Sequence, residues 1–213
     1  MSHFLNQNRY QYDKYELQDA EIKPDPLMQF QDWFDDVLET ELLDPNAMHL
    51  STVNKLNKPQ NRVVLLKYFD RDGFVFFTNY NSSKAMDIAS NPHVALTFYW
   101  RPLERQVRIE GIASRVDASI SDAYFQTRPR DSQLSAWASP QSKQILDRTS
   151  LEDEAKRIEN AFPNHIPRPD FWGGYCVSPM CYEFWQGRPN RSHDRIVYQQ
   201  RKDDQWDIKR LAP

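Results

Sequence analysis

The scarcity of glycine is the feature that most constrains the fold of this chain. Its 213 residues include only five glycines, at positions 73, 111, 173, 174 and 187. Dinucleotide fingerprints and Walker A loops need glycines at fixed short spacings, because the backbone must approach phosphate closely. The five glycines match neither spacing, so the sequence excludes classical Rossmann and P-loop nucleotide binding.

Short β-branched and aromatic segments predict a mainly β fold. Such residues favour strands because they pack well on a pleated, half-buried surface. The segments are Met48–Val53, Val63–Phe69, Phe74–Thr78, Val94–Trp100, Gln106–Val116, Trp172–Trp185, Arg195–Gln199 and, as a further candidate, Trp206–Arg210. The turn at 70–73 predicts a hairpin. Five to seven antiparallel strands with helices at the edges indicate a small barrel.

Four segments predict these peripheral helices. They run from Pro26 to the breaker Asp44-Pro45-Asn46, from Ser82 or Ser83 to Ser90, over 119–127, and over 151–161 after Ser150. Asp25 is the expected N-cap of the first helix, and proline suits its first turn. Residues 1–24 are polar and lack periodicity, so we expect a mobile N-terminal arm ahead of a single domain at 25–213.

Composition narrows the setting in which the chain works. The 27 Lys+Arg and 30 Asp+Glu leave a net charge of −3, which argues against general nucleic-acid binding. The apolar runs are far below the roughly 18 residues of a membrane span, and no signal peptide is visible, so no membrane is expected. Cys176 and Cys181 are the only cysteines and the histidines are scattered, which predicts a cytoplasmic location and no metal site.

Two basic motifs lie at strand and helix ends. In R-V-V-L-L-K at 62–67, strand alternation places Arg62 and Lys67 at opposite ends and on opposite faces. The alternative is that both are strand-end charges reaching solvent. N-S-S-K at 81–84 offers two hydroxyls, free backbone N–H groups and a lysine for a phosphate, or simply an ordinary N-cap.

A third motif, Y-F-Q-T-R-P-R-D-S at 124–132, carries donors suited to a phosphate monoester. Tyr124, Arg128 and Ser132 are spaced by four, so continuing helical geometry would align them on one face. The competing interpretation is a salt-bridged helix end that uses Arg130 and Asp131.

The fourth constellation combines F-W-G-G-Y at 171–175 with E-F-W-Q-G-R-P-N-R-S-H-D-R at 183–195. Arg188, Arg191, His193 and Arg195 crowd around a turn near Trp185. Tryptophan or guanidinium groups can stack on a planar ligand while histidine and arginine hydrogen-bond it. The four motifs together indicate a barrel-like protein with separate oxyanion sites for phosphorylated, planar ligands.

In this order and spacing the motifs resemble the pyridoxine/pyridoxamine 5′-phosphate oxidase family, and R-L-A-P at 210–213 and R-Y-Q-Y at 9–12 extend the resemblance. It implies an FMN-binding split β-barrel, antiparallel and Greek-key-like, that forms a homodimer with FMN at the interface. Such enzymes oxidise pyridoxamine or pyridoxine 5′-phosphate to pyridoxal 5′-phosphate. Hydride passes from substrate C4′ to flavin N5, and O2 reoxidises the flavin and yields H2O2.

The resemblance also implies the residues that contact FMN, some of them from the partner subunit. They are Arg62, Val63, Val64, Leu65, Leu66, Lys67, Phe77, Thr78, Ser83, Lys84, Gln106, Gln141, Ser142, Trp185 and Arg195. Relatives often carry arginine where this chain has Ser83, which predicts weaker binding of the FMN phosphate.

Substrate contacts are implied in the same way. They are Arg9, Tyr12, Lys67, Tyr124, Arg128, Ser132, Arg191 and His193. Arg191 and His193 are the expected catalytic pair: Arg191 clamps and polarises the pyridine ring, and His193 hydrogen-bonds its substituents and assists proton removal. The alternatives are a split-barrel flavin reductase using NAD(P)H and a non-catalytic protein that stores FMN or pyridoxal 5′-phosphate.

Overall fold

The computed structural model of the protein describes residues 11–213, which contain nine β-strands and five α-helices. The strands are β1 Ala47–Val53, β2 Pro59–Leu65, β3 Tyr68–Asp70, β4 Gly73–Asn79, β5 His93–Trp100, β6 Arg105–Arg115, β7 Trp172–Gln186, β8 Asp194–Gln200 and β9 Trp206–Leu211. The helices are α1 Pro26–Leu38, α2 Ser83–Ser90, α3 Ala118–Thr127, α4 Arg130–Ala138 and α5 Thr149–Ala161. The predicted mainly β class is confirmed, although the strands outnumber the expected five to seven. Within residues 11–213, every helix is too short or too polar to cross a membrane.

These residues group into two compact units. The first unit takes the described residues up to Pro45 together with Thr97–Ile109 and Cys181–Pro213. The second takes Asn46–Leu96 and Glu110–Met180. Strands β5, β6 and β7 contribute residues to both units. The division into an arm at 1–24 and a single domain at 25–213 stays a prediction.

The strands form an antiparallel sheet with the order β2-β1-β5-β6-β7-β4-β3, in which β8 also pairs with β7, and β9 pairs with β8. Ala47 lies opposite Leu65 where β1 pairs with β2, and Phe74 lies opposite Val177 where β4 pairs with β7. The predicted hairpin at 70–73 is confirmed, since Asp70 lies opposite Gly73 in the β3–β4 pair. Strands β2 and β4, which carry residues expected to contact FMN, both lie in the second unit.

The single strand predicted over Val63–Phe69 is wrong, because the chain changes its pairing partner in the middle. The Leu66 amide donates to Asn46 O at 2.9 Å, whereas the next amide, that of Lys67, donates to Val75 O at 2.8 Å. Strand β2 therefore ends on β1, and β3 begins on β4. The buried Leu66 side chain marks this crossover.

Helices α3, α4 and α5 pack around a cluster of apolar side chains in the second unit. Its buried members are Phe125, Leu134, Ala136, Ile158, Ile166 and Trp172. Helix α4 has no counterpart in the sequence prediction, which has a helix over 119–127 and notes only that continuing helical geometry would align Tyr124, Arg128 and Ser132. The helix does not continue, because Arg128 precedes Pro129 and a residue before proline is pushed out of the helical region. Both residues are extended here, between α3 and α4.

The first unit contains α1, parts of β5 to β7, and strands β8 and β9. Asp25 caps α1 as predicted, since its Oδ1 accepts the Leu27 amide at 2.9 Å. The helix ends at Leu38 and not at the expected breaker at 44–46, because the Thr40 amide and hydroxyl both bond to Val37 O. Trp33 of α1 packs edge-on against Phe184 of β7, with ring centroids 5.2 Å apart.

Candidate active site

An open cleft of about 510 Å³ lies in the second unit. Its lining residues are Val63, Val64, Leu65, Lys67, Phe77, Thr78, Lys84, Tyr124, Thr127, Arg128, Pro129, Ser132, Gln141 and Trp172. Of these described lining residues, three are basic and none is acidic. Across residues 11–213, no three His, Cys, Asp or Glu side chains gather as metal ligands would. The positive charge of the cleft therefore comes from its two lysines and one arginine.

Lys84, in the first turn of α2, is held in the cleft by neutral oxygens. Its Nζ donates to Thr78 Oγ1 at 3.1 Å, to Ser82 Oγ at 3.3 Å and to Gln141 Oε1 at 3.0 Å. Burial, with a smaller contribution from the positive charge of Arg62, lowers the pKa of Lys84 to about 8. A bound anion would strongly stabilise this ammonium group, because no carboxylate within residues 11–213 is paired with it.

Of the two serines in the N-S-S-K motif, the first one contacts Lys84. Ser82 is fully buried, and its hydroxyl makes no cap hydrogen bond to α2 but accepts from Lys84. Ser83, which the resemblance places on FMN, is exposed on α2 and does not line the cleft. The geometry thus favours the anion-binding interpretation of the motif over the ordinary N-cap, and Ser82, not Ser83, is the serine beside Lys84.

Arg62 lies behind the cleft and not in its lining. Its NH1 donates to Thr52 Oγ1 at 2.7 Å and to Leu50 O at 3.1 Å, and its NH2 is 3.6 Å from Asp87 Oδ2. Asp87 is itself buried and accepts the Thr52 hydroxyl at 2.7 Å. Arg62 is therefore paired with a carboxylate, and it acts on the cleft through its charge on Lys84.

The structure brings Tyr124, Arg128 and Ser132 together in the cleft, although they come from the end of α3, the link and the start of α4. Arg128 NH1 is buried and has no hydrogen-bond partner among the described residues. The guanidinium carbon lies 4.6 Å from the centroid of the Trp172 ring, and burial lowers the pKa of Arg128. A buried guanidinium nitrogen without an acceptor is costly, which makes this position receptive to an anion. Arg130, by contrast, bonds to Phe162 O at 3.0 Å.

Aromatic rings form one wall of the cleft. The rings of Phe77 and Tyr124 stack with centroids 4.0 Å apart, and Phe77 stacks on Trp172 at 5.5 Å. Gly174 permits this arrangement, since a Cβ there would lie 2.9 Å from Phe77 Cε1. Trp172, Thr127 and Pro129 line the cleft but were missed as site residues. The signal was present, because all three belong to motifs already singled out in the sequence.

The first unit holds a separate aromatic cluster. The rings of Trp185 and His193 lie 4.5 Å apart, and Tyr12 meets both edge-on at 5.6 and 5.7 Å. Gly187 lets Tyr12 come so close, since a Cβ at that glycine would lie 2.7 Å from Tyr12 Cγ. Three residues implied by the resemblance are thus brought together. Arg9, expected beside Tyr12, lies outside the described residues.

His193 has a defined hydrogen-bonding role in this cluster. Its Nδ1 accepts the Arg188 amide at 3.1 Å, so the proton of the neutral ring is on Nε2. Burial and the charge of Arg191 lower the pKa of His193, while Asp194 raises it. The ring therefore favours its neutral form and presents Nε2–H as a donor.

Arg191 ends a strained turn. It and Asn190 have positive φ angles of 63° and 56°, a conformation that costs of order 1 kcal/mol or more for residues other than glycine. The Arg191 side chain is exposed. Arg195, in contrast, is held by Glu183 Oε1 at 2.8 Å and by Ala212 O at 3.0 Å.

Two further residues expected to contact FMN, Gln106 and Ser142, do not line the cleft. Gln106 is half-buried in the part of β6 that belongs to the first unit. Ser142 is exposed, with a positive φ of 68°.

Two family models match most of the sequence. Residues 34–162 match pyridoxamine 5′-phosphate oxidase, and residues 172–213 match the pyridoxine 5′-phosphate oxidase C-terminal dimerisation region. The chain belongs to the pyridoxamine 5′-phosphate oxidase family. The second match spans β7, the turn that carries Arg191 and His193, and strands β8 and β9, so the family's dimerisation region contains the aromatic partners Trp185 and His193.

Individual relatives agree with the family assignment. A pyridoxine/pyridoxamine 5′-phosphate oxidase of Cupriavidus metallidurans is 49% identical over 92% of this chain and 93% of that protein. One of Rippkaea orientalis is 50% identical over 96% of this chain and 97% of that protein. The sequence-based recognition is thereby confirmed, together with the oxidoreductase class and FMN as the cofactor.

Solved structures confirm the split-barrel fold. PhzG from Burkholderia lata, solved with tetrahydrophenazine-1-carboxylic acid, has a TM-score of 0.85 at 26% identity, covering 91% of this chain and 95% of that chain. A pyridoxamine 5′-phosphate oxidase-related, FMN-binding protein of Nostoc punctiforme has a TM-score of 0.72 at 19% identity, covering 90% of this chain and 100% of that chain.

We expect FMN affinity to fall as the pH rises through about 8, where Lys84 loses its proton in the free protein. Below that pH the ammonium is already charged and affinity is flat. Above it, anion binding must take up one proton, so affinity falls by up to about tenfold per pH unit. Quenching of FMN fluorescence between pH 7 and 9.5 measures this. Lys84→Met should bind weakly with no break near pH 8, and the exposed Lys58→Met should match wild type. A flat wild-type profile would contradict the assignment.

Proposed function

We propose that the protein is an FMN-dependent oxidase that converts pyridoxamine or pyridoxine 5′-phosphate to pyridoxal 5′-phosphate, with O2 as acceptor and H2O2 as product. The observation that carries the proposal is an acid-free cleft in which a buried nitrogen of Arg128 lacks a partner among the described residues. The reaction serves vitamin B6 salvage. Cys176 and Cys181 form no disulfide within residues 11–213, which supports the cytoplasm as its compartment.

The cleft offers two groups of donors, which fits two phosphorylated molecules. Lys84 with Thr78, Ser82 and Gln141 forms one group, and the resemblance assigns this end to FMN. Tyr124, Arg128 and Ser132 form the other, with Lys67 beside the Tyr124 ring. Each phosphate carries a charge of about −2, so each needs its own cationic group. We assign the second group to the phosphate of the substrate.

The chain contributes mainly binding and orientation to the reaction. When bound, FMN supplies a hydride acceptor that dioxygen regenerates. Residues 63–65 of β2 and the Phe77 ring of β4 provide apolar and aromatic surface in the cleft. Holding two planar molecules in a fixed relation lowers the barrier without a strong base in the protein.

Arg191 and His193 are proposed to act on the substrate ring. The Nε2–H of His193 is directed by the Arg188 amide on Nδ1, so the histidine donates to a ring substituent. Because Nε2 carries the ring proton and Nδ1 accepts the Arg188 amide, the neutral ring acts as a hydrogen-bond donor at that substituent and not as a base. Arg191 adds a positive charge that polarises the ring. We propose that a second copy of the chain supplies this pair, in a homodimer formed through the C-terminal dimerisation region.

The purified protein should be yellow, with FMN retained or readily restored. It should release peroxide when given pyridoxamine 5′-phosphate in air. Without oxygen, a single addition of this substrate should bleach the flavin absorbance in stopped-flow measurements. A flavin reductase would instead bleach with NADPH and not with B6 phosphates, and a storage protein would bind without bleaching. Either of these results would replace the oxidase proposal.

Arg128→Ala should impair substrate binding while FMN stays bound. A lost charge-assisted contact costs about 1.5–3 kcal/mol, or roughly ten- to hundredfold in the KM for pyridoxamine 5′-phosphate. Steady-state kinetics and the flavin content of the purified variant test this. Arg157→Ala, which removes an exposed arginine of α5, is the control. Loss of FMN from Arg128→Ala would show that the two anion sites are wrongly divided.

A site shared between subunits predicts complementation. Arg128→Ala and Arg191→Ala should each be poorly active alone. In mixed dimers one site carries both changes and the other carries neither, so random exchange restores about a quarter of the wild-type sites. Activity after subunit exchange at equal concentrations measures this. If activity stays at the mean of the two variants, each subunit carries its own complete site.

A further inference from the structure

We propose that Asp194 is a positioning residue that holds the N-terminal segment, defined as residues 12–19, where Tyr12 contacts His193 and Trp185. The inference rests on the proposed function only in that Tyr12 and His193 are assigned to the substrate. Asp194 itself is assigned no role by the family resemblance. The proposal stands on the contacts that its carboxylate makes within the first unit.

The Asp194 carboxylate joins three parts of the first unit. Its Oδ2 accepts the Leu17 amide at 3.1 Å, and its Oδ1 accepts Arg210 NH1 at 2.8 Å. Arg188 Nε lies 3.7 Å from Oδ2. The Asp194 side chain is 22% exposed, so solvent screens these contacts only in part. One acidic group thus lies between two arginines and fixes a backbone amide of the N-terminal segment.

Both arginines also bind the N-terminal segment directly. Arg210, in the R-L-A-P motif, donates through NH2 to Leu17 O at 3.0 Å and pairs with Asp19. Arg188 pairs with Glu16 Oε2 at 2.5 Å. Without Asp194, the two guanidinium groups would lose their shared counter-charge, and the Leu17 amide would lose its acceptor. The Asp194 carboxylate therefore joins both arginines to a backbone amide of the segment.

The anchored segment leads directly to Tyr12. Leu17 is buried, and the Lys14 amide donates to Glu104 Oε2 at 3.3 Å. A single residue separates Lys14 from Tyr12, so fixing Lys14 and Leu17 leaves the Tyr12 ring little freedom.

Asp194 is also linked to the histidine side of the contact. It follows His193 directly in the chain, and it lies beside Arg188, whose amide holds His193 Nδ1. Asp194 therefore acts on both partners of the Tyr12–His193 contact.

Amide hydrogen exchange at Leu17 is the direct test. In Asp194→Ala the Leu17 amide should exchange about tenfold faster or more, because its acceptor is gone. Exchange in β4 and β7 should not change, which shows that the fold is intact. Asp203→Asn is the matched control, since Asp203 pairs with the exposed Arg201 near the β8–β9 turn. Unchanged Leu17 exchange in Asp194→Ala would overturn the proposal.

Kinetics test whether the positioning matters for the reaction. The KM for pyridoxamine 5′-phosphate should rise about tenfold in Asp194→Ala, with the flavin content unchanged and partial rescue in Asp194→Asn. If Asp194→Ala does not fold, Arg210→Gln should give the same pattern in weaker form, with Arg201→Gln as its control. Faster Leu17 exchange with an unchanged KM would overturn the positioning role. If wild type shows no turnover, the proposed function fails, and Leu17 exchange still decides whether Asp194 holds the segment.

Discussion

Positive charge without a compensating carboxylate is the constraint around which the second unit is organised. Lys84 meets only neutral oxygens, and Arg128 keeps a buried nitrogen without a partner among the described residues. Each arrangement costs free energy in the absence of an anion. The packing of the surrounding sheet and helices holds both cations in place despite this cost. The cleft is therefore already arranged to bind phosphate groups.

The fold collects these cations from segments far apart in the chain. The crossover from β2 to β3 places Lys67 at the cleft, and α2 places Lys84 there through its first turn. Pro129 separates α3 from α4 and leaves Arg128 in the gap, where Trp172 covers its guanidinium group. In the first unit, by contrast, acidic side chains compensate the charge of basic ones. Glu183 neutralises Arg195, and Asp194 joins the arginines that hold the N-terminal segment.

Local signals in the sequence predicted the elements that depend on local chemistry. Asp25 caps α1, and the 70–73 turn forms its hairpin, because both rely on hydrogen bonds within a few residues. Predictions were wrong where the local structure depends on contacts with residues far away in the sequence. The break after Leu65 follows from a change of pairing partner. Helix α4 owes its place to packing in the cluster with α3 and α5 and not to strong periodicity.

By itself, the sequence determined the mainly β class, the family, FMN as the cofactor and the motifs from which the cleft is built. Only the tertiary structure decided what each charged side chain does. Arg62 turns to Asp87, and Ser82 instead of Ser83 meets Lys84. The physical reason is that the effect of a charged side chain depends on the groups that surround it, and these lie on other strands and helices. A motif names the donors, but the packed chain decides which of them remain unneutralised for a ligand.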